Sequence, residues 1–227
     1  MKIGLVGDSL TEGRPGFSFL NILSEKYPDD TFDNLGKPGE TVKSLHTRLT
    51  KTRLDSDYDL VFLWIGVNDV YSKLLSVQAQ PVTKDHEEFK EYYQDVLKLI
   101  MDSSHKVVVV SPAIVGENLE NASNKELKEL STIIQSIIAN HPNILFLNMQ
   151  NAFEEYLVTV ISSEYISTNP LRVMMDVFFY KNAAKIDELS RKRGLNLTLD
   201  GIHLNNLGAQ MVADAYASSI DQVKNSH

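Results

Sequence analysis

Five short apolar runs constrain the fold of this chain more than any other feature of its sequence. Each run is rich in Val, Ile, Leu or Phe and is nearly continuous rather than alternating with polar residues. Continuous apolar runs are typical of strands that are buried on both faces, as in a parallel sheet. The runs therefore predict strands at Lys2–Gly7, Thr31–Gly36, Leu60–Ile65, Lys106–Ser111 and Ile144–Asn148.

Segments with the spacing of amphipathic helices separate the predicted strands. Val42, Leu45 and Leu49 recur at helical intervals, and a wide apolar stripe runs from Leu127 to Ile138. Strand and helix thus alternate about five times, which is the pattern of a doubly wound α/β sandwich. The length of 227 residues suits one α/β domain that spans residues 1–227.

Residues 152–198 interrupt this alternation. The region reads as a helical insertion after the last predicted strand and is rich in large apolar and aromatic residues. It either forms a cap or one wall of a pocket, or simply packs its helices onto the sheet. Arg172 and Lys181 within it are predicted to be solvated, with contact to an anionic substrate as the alternative.

The composition excludes several classes of protein. The chain has no cysteine, which rules out cysteine nucleophiles, thiolate metal sites and disulfides. Its net charge of -8 argues against nucleic-acid binding, which needs clustered basic residues. The sequence shows neither a signal peptide nor an apolar run near the roughly 20 residues that span a bilayer. We therefore expect a cytoplasmic protein without a membrane span.

Residues capable of chemistry lie next to the predicted strands and before the last predicted helix. Ser9 follows the first strand, Gly39 the second and Asn68 the third. Asp200 and His203 precede the final helix. Ligands of open parallel sheets bind outside the carboxyl ends of the strands, so we expect these loops to open on the same edge. Residues that are far apart in the sequence can meet there.

These residue types match what acyl transfer requires. A serine hydroxyl becomes a good nucleophile when a histidine takes its proton, and a carboxylate holds the imidazole in one tautomer. We therefore predict that Ser9 is the nucleophile, His203 the base and Asp200 the orienting acid. Preorganised N–H donors stabilise the developing oxyanion. We predict that these donors are the backbone amides of Ser9 and Gly39 and the side-chain amide of Asn68.

Four motifs, in this order along the chain, resemble the sequence blocks of the SGNH or GDSL hydrolases. They are Gly7-Asp8-Ser9-Leu10, Asn34 with Gly39-Glu40-Thr41, Gly66-Val67-Asn68-Asp69, and Asp200-Gly201-Ile202-His203. The resemblance implies a flavodoxin-like α/β/α sandwich that hydrolyses esters or thioesters without a metal or another cofactor. It also aligns Gly39 and Asn68 with the oxyanion donors of the family. Leu204 stands where the family commonly has proline, and the insertion is longer than in the compact lysophospholipase-like members.

The resemblance implies a carboxylic ester hydrolase that acts on a small-molecule ester through an acyl-enzyme. Acetylated sugars, short acyl esters and lysolipids all stay open as substrates, and so does acyl transfer to an alcohol other than water. The central sheet of this fold is expected to contain about five parallel strands.

Two alternatives of other classes also stay open. The first is a metal-dependent phosphoesterase that would draw its ligands from Asp8, Asp69 and Asp200 among others. The second is a non-catalytic flavodoxin-like binding module with a phosphate loop at residues 7–16. In the esterase interpretation, Asp8 and Asp69 are structural carboxylates that accept N–H bonds from their loops.

Overall fold

The five apolar runs form one parallel sheet in the structure, a computed structural model that describes residues 1–55, 57–75, 80–139, 141–169 and 183–225. The strands are β1 (Lys2–Gly7), β2 (Thr31–Gly36), β3 (Tyr58–Trp64), β4 (Ser104–Val110) and β5 (Ile144–Leu147). The bounds of β1 and β2 are those predicted. Strands β3 and β4 each begin two residues before the predicted start, because Tyr58 pairs with Ser104 between the two strands.

The order of the strands brings the loops of interest to one edge of the sheet. The sheet has the order β2-β1-β3-β4-β5, so β1 lies between β2 and β3. Gly7 at the end of β1 is level with Gly36 at the end of β2 and with Trp64 at the end of β3. The loops after these strands therefore leave the sheet side by side, at what we call the carboxyl edge.

Helices on both sides of the sheet complete the predicted three-layer α/β/α sandwich. The helices described are α1 (Ser9–Glu12), α2 (Phe19–Lys26), α3 (Val42–Lys51), α4 (Val67–Tyr71), α5 (His86–Met101), α6 (Ala122–Ile138), α7 (Met149–Leu157), α8 (Ala183–Lys192) and α9 (Asn206–Lys224), with a 3₁₀ turn at Ser72–Leu74. Helix α5 packs against α3 and α6, and α9 packs against α2 and α7. None of the helices in the described part of the chain is long and apolar enough to cross a bilayer.

An aromatic cluster packs helices α2 and α9 against the sheet. The ring of Tyr216 in α9 stacks on Phe62 in β3 with a centroid distance of 4.1 Å. It also lies 4.9 Å from the ring of Phe19 in α2. Trp64 is buried beside them, and its indole N–H donates to the carbonyl of Ser111 at 3.0 Å. The carboxyl end of β3 is therefore fixed by the core.

Glycine at position 36 allows β2 to pass close to the turn that carries Ser9. A Cβ atom on Gly36 would lie 2.4 Å from the amide nitrogen of Glu12 and 2.8 Å from the carbonyl oxygen of Asp8. Both neighbours are backbone atoms, which cannot move without moving the turn itself. The close approach of β2 to α1 thus depends on the missing side chain.

The region predicted as a helical insertion is helical only in part. Helix α7 ends at Leu157, and the described residues 158–169 contain no helix. Four consecutive β-branched residues begin that segment, and such residues are weaker helix formers. The segment instead pairs with other loops, because the amide of Ser163 donates to the carbonyl of Gly194 at 2.8 Å. The prediction for Arg172 and Lys181 lies outside the described residues.

Candidate active site

Ser9 lies immediately after β1, at the carboxyl edge of the sheet. It is the first residue of α1, and Asp8 caps that helix by accepting the amide of Leu10 at 2.9 Å. Only 6% of Ser9 is exposed, so its hydroxyl lies in a largely enclosed position. The turn after β1 thus holds the serine at the edge where the sequence predicted it.

Asp200 and His203 lie in a tight loop that precedes α9. The loop closes on itself, because the amide of Leu199 donates to the carbonyl of His203 at 2.8 Å. Within the loop, Asp200 Oδ1 accepts the amides of Ile202 at 3.0 Å and His203 at 2.8 Å. The three-residue spacing therefore folds the carboxylate back onto the backbone of the histidine.

The structure brings Ser9, His203 and Asp200 into one hydrogen-bonded line. Ser9 Oγ lies 3.0 Å from His203 Nε2, although the two residues are 194 positions apart. His203 Nδ1 lies 2.7 Å from Asp200 Oδ2. Asp200 is fully buried and His203 is 5% exposed, so the line is screened from bulk water.

The charges in this line set the proton positions. Burial raises the pKa of Asp200, but His203 and the two backbone amides outweigh it, so the pKa lies below its ordinary value. An ionised carboxylate only accepts hydrogen bonds. The hydrogen between Asp200 and His203 is therefore carried by Nδ1 of the imidazole. In the neutral imidazole, the lone pair of Nε2 then faces the hydroxyl of Ser9.

Gly39 lies in the loop after β2 and Asn68 in the first turn of α4, directly after β3, and a hydrogen bond joins these two segments. Gly39 has a φ of 73°, a left-handed conformation that favours glycine. Asn68 is 5% exposed, and its Nδ2 donates to the carbonyl of Glu40, the residue after Gly39, at 3.1 Å. The loop after β2 and the helix after β3 are thus held together by the side-chain amide of Asn68.

Comparison with known proteins assigns the family. The sequence profile of the GDSL-like lipase/acylhydrolase family matches residues 5–162, which is more than half of the chain. The chain belongs to this family. It is accordingly a carboxylic ester hydrolase, which supports the esterase interpretation over the phosphoesterase and the binding module. The match ends before Asp200 and His203.

Individual relatives agree with this membership. An acetylxylan esterase of Geobacillus stearothermophilus is 26% identical over 188 residues, which cover 70% of this chain and 84% of that protein. The crystal structure of an acetyl xylan esterase, AlAXEase, has a TM-score of 0.71 at 23% identity, covering 97% of this chain and 100% of that one. A lipolytic G-D-S-L protein of Veillonella parvula has a TM-score of 0.65 at 16% identity, covering 96% of this chain and 97% of its own. The two solved structures share the fold described above.

Glu117, which the sequence did not single out, contacts the loop region that leads to Asp200. It is 3% exposed and lies in the loop after β4. Its Oε1 accepts the amides of Leu197 at 2.8 Å and Thr198 at 2.9 Å, and its Oε2 accepts the amide of Asn196 at 2.8 Å. Its position after the predicted fourth strand is the signal that the sequence offers, because β4 ends at the carboxyl edge too. The predicted site residues come only from the loops after the first three strands and the loop before the last helix.

A groove of about 800 Å³ borders the loop that carries Gly39. Eight of its ten lining residues are polar or charged, among them Lys37, Arg48 and Lys51, and the other two are prolines. Arg48 Nε donates to Glu40 Oε1 at 2.8 Å, so an ion pair connects the groove wall to that loop. The groove offers hydrogen-bonding groups together with the apolar stems of long side chains beside the loop.

Asp8 and Asp69 accept N–H bonds from their surroundings, as predicted. Asp8 accepts the amide of Leu10, and Asp69 Oδ2 accepts the amide of Val42 at 3.0 Å. Burial nevertheless raises the pKa of each carboxyl to about 7, and the charge of Asp8 further raises the pKa of Asp69. Ionisation of these two carboxyls therefore costs the folded state free energy near neutral pH.

The raised pKa of Asp69 predicts how the stability of the variant Asp69→Asn depends on pH. A carboxyl whose pKa is raised on folding is held protonated by the native state while the unfolded state has already released its proton. The protonated Asp69 thus contributes fully to the free energy of unfolding below pH 3.8, the pKa of the carboxyl in the unfolded chain. This contribution is lost as the pH rises through about 7, the pKa in the folded protein. The asparagine does not titrate. Relative to the wild type, the variant should therefore gain free energy of unfolding as pH rises.

We expect a gain of more than about 1 kcal/mol between about pH 5 and about pH 8, since one pKa unit corresponds to about 1.4 kcal/mol. Urea unfolding of both proteins at the two pH values measures it. The exposed Asp29→Asn variant is the control and should show no comparable change. The same difference between Asp69→Asn and the wild type at both pH values would contradict the prediction.

Proposed function

We propose that the protein is a serine esterase in which Ser9, His203 and Asp200 form the catalytic triad. The observation that carries this proposal is the unbroken line from the hydroxyl of Ser9 through both nitrogens of His203 to the carboxylate of Asp200, with distances of 3.0 Å and 2.7 Å. These distances lie within the range that direct proton transfer needs. Membership of an acylhydrolase family supplies the matching reaction class.

In the proposed reaction, Ser9 Oγ attacks the carbonyl carbon of the ester while His203 Nε2 takes the hydroxyl proton. The imidazolium that results is stabilised by the ionised Asp200. The tetrahedral intermediate then loses the alcohol, which receives the proton from Nε2, and an acyl group remains on Ser9. A water molecule, deprotonated by the same nitrogen, then attacks the acyl carbon. The bond to Ser9 Oγ breaks, Nε2 returns the proton to that oxygen, and the acid leaves.

The negative oxygen of the intermediate requires donors that are in place beforehand. We propose the backbone amides of Ser9 and Gly39 and the side-chain amide of Asn68 for this role. A primary amide carries two N–H groups. The bond of Asn68 to the carbonyl of Glu40 uses one of them and holds the side chain in a fixed orientation, which leaves the second N–H for the oxyanion.

We propose acetyl esters of saccharides as the substrate class. Two of the relatives are named for acetylxylan, a polysaccharide whose ester groups are acetyls. The groove beside the Gly39 loop is lined mainly by charged and polar residues, whose hydrogen-bonding groups and apolar stems together suit a sugar as the alcohol part of the ester. A long acyl or lysolipid chain would need an extended apolar surface instead.

We also propose that the chain is a single domain over residues 1–227 and that the 152–198 insertion supports the active site. In its described part, the amide of Ser167 donates to the carbonyl of Asp200 at 2.8 Å. The hydroxyl of Tyr71, near the end of α4, donates to the carbonyl of Ser167. The segment thus connects the helix that contains Asn68 with the loop that contains Asp200.

Hydrolysis of p-nitrophenyl acetate by variants tests the proposed roles. Ser9→Ala should lose more than about 10³-fold in kcat, because no nucleophile remains. Asn68→Ala should lose about 10²–10³-fold, the usual effect of deleting one oxyanion donor. Ser136→Ala and Asn151→Ala, at exposed positions in α6 and α7, are the matched controls and should behave as the wild type. Wild-type rates for Ser9→Ala would refute the triad, and wild-type rates for Asn68→Ala would refute the oxyanion assignment.

A panel of esters tests the proposed substrate class. We expect kcat/KM to be highest for acetyl esters and to fall as the acyl chain lengthens. Acetylated xylo-oligosaccharides should be deacetylated faster than an acetyl ester of a simple alcohol with the same leaving-group pKa, because the groove binds the sugar. A preference for long acyl chains or lysolipids would contradict the proposal. Acetate release and chromatography of the sugars measure both comparisons.

A further inference from the structure

Glu117 is a buried carboxylate that the proposed triad does not use. Its oxygens accept hydrogen bonds at 2.8–2.9 Å from the backbone amides of residues 196–198, and Oε1 also accepts the hydroxyl of Thr198 at 2.9 Å. A buried charge is strongly unfavourable unless hydrogen bonds replace its hydration. So many donors converging on one side chain show that residues 196–198 are shaped around this carboxylate.

Residues 196–198 form the entry to the loop that carries Asp200 and His203. The hydroxyl of Thr198 bridges Glu117 and this loop, because its Oγ1 donates to Glu117 and accepts the amide of Gly201 at 3.2 Å. The preceding residue of the β4 loop adds a direct bond, since the amide of Gly116 donates to the carbonyl of Gly201 at 2.6 Å. The β4 loop therefore holds the chain on both sides of Asp200.

We propose that Glu117 is a positioning residue for the esterase reaction and that it keeps the Asp200–His203 loop in register with Ser9. The proposal rests on the proposed function, because it assigns a purpose to that loop. A displacement of about 1 Å in a reacting group can cost about 10²-fold in rate. Ser9 and His203 are 194 positions apart, so their hydrogen bond depends on contacts that fix the position of the Asp200–His203 loop.

The chemistry of the side chain explains why glutamate is needed. A carboxylate accepts at both oxygens, so it can bind amides on either side without conflict. Glutamine has the same size but carries an NH₂ group at one of those positions, where it would face another N–H donor. We therefore expect Glu117→Gln to shift residues 196–198 and, through Thr198, the loop beyond them.

The test compares Glu117→Gln with Glu120→Gln, a matched change three residues further on. Glu120 is exposed and its nearest charged partner is Lys125, at 3.5 Å. With p-nitrophenyl acetate, at a temperature well below the melting transition of each protein, Glu117→Gln should lose about 10–10²-fold in kcat with little change in KM. Glu120→Gln should keep both wild-type values. A purely structural role would lower the melting temperature without changing kcat.

A second readout does not depend on turnover. We expect the hydrogen on His203 Nδ1 to give a proton NMR signal far downfield, because Nδ1 lies only 2.7 Å from Asp200 Oδ2. This signal should shift or broaden in Glu117→Gln and stay unchanged in Glu120→Gln. An unaltered signal together with an unaltered kcat in Glu117→Gln would overturn the proposal.

Variants of Thr198 keep the test decisive if Glu117→Gln does not fold. Thr198→Val removes the hydroxyl that joins Glu117 to Gly201, and it should lower kcat and shift the downfield signal in the same direction. Thr198→Ser retains the hydroxyl and should keep both kcat and the position of the downfield signal at their wild-type values. Equal behaviour of the valine and serine variants would also overturn the proposal. Should Ser9→Ala keep wild-type activity, the proposed function fails instead, and the NMR signal alone then reports whether Glu117 positions the loop.

Discussion

The level register of three parallel strands is the constraint on which the rest of this structure depends. Gly7, Gly36 and Trp64 end their strands side by side, so the loops that follow must leave the sheet at one edge. A slip of the register would separate the serine loop from the loop of Gly39. The close backbone approach at Gly36 couples β2 to the turn of Ser9 and makes such a slip costly. The register of the sheet therefore sets the relative positions of the loops that carry the candidate site residues.

Buried carboxyl groups occupy this edge, and each has a different electrostatic environment. Asp200 stays ionised because His203 and two backbone amides outweigh the effect of burial on its pKa. Asp8 and Asp69 have fewer compensating bonds, and burial raises the pKa of both to about 7. Glu117 receives several backbone amides at once. Their different partners fit the different roles proposed for these carboxyls, which are an orienting acid for Asp200, loop supports for Asp8 and Asp69, and a positioning group for Glu117.

Local sequence patterns predicted much of this fold and the candidate residues of the site. Apolar runs predicted the sheet, and the position of Ser9 and His203 relative to the strands predicted that they meet. The early starts of β3 and β4 could not be seen, because they depend on pairing between Tyr58 and Ser104 in different strands. The prediction of helix is wrong for residues 158–169, because their backbone bonds to distant loops instead. Glu117 belongs to no motif, and only the folded contacts distinguish it from a surface glutamate. The roles of the site residues stay predictions.

The most direct measurement of the central claim is the site and rate of covalent modification by a serine-directed organophosphonate. Mass spectrometry of the inactivated protein should find one adduct, carried by Ser9, that accumulates in step with the loss of esterase activity. His203→Ala should react at least about 10²-fold more slowly, because the hydroxyl has lost its base. Inactivation with the adduct on another residue, or a His203→Ala protein that reacts as fast as the wild type, would contradict the account.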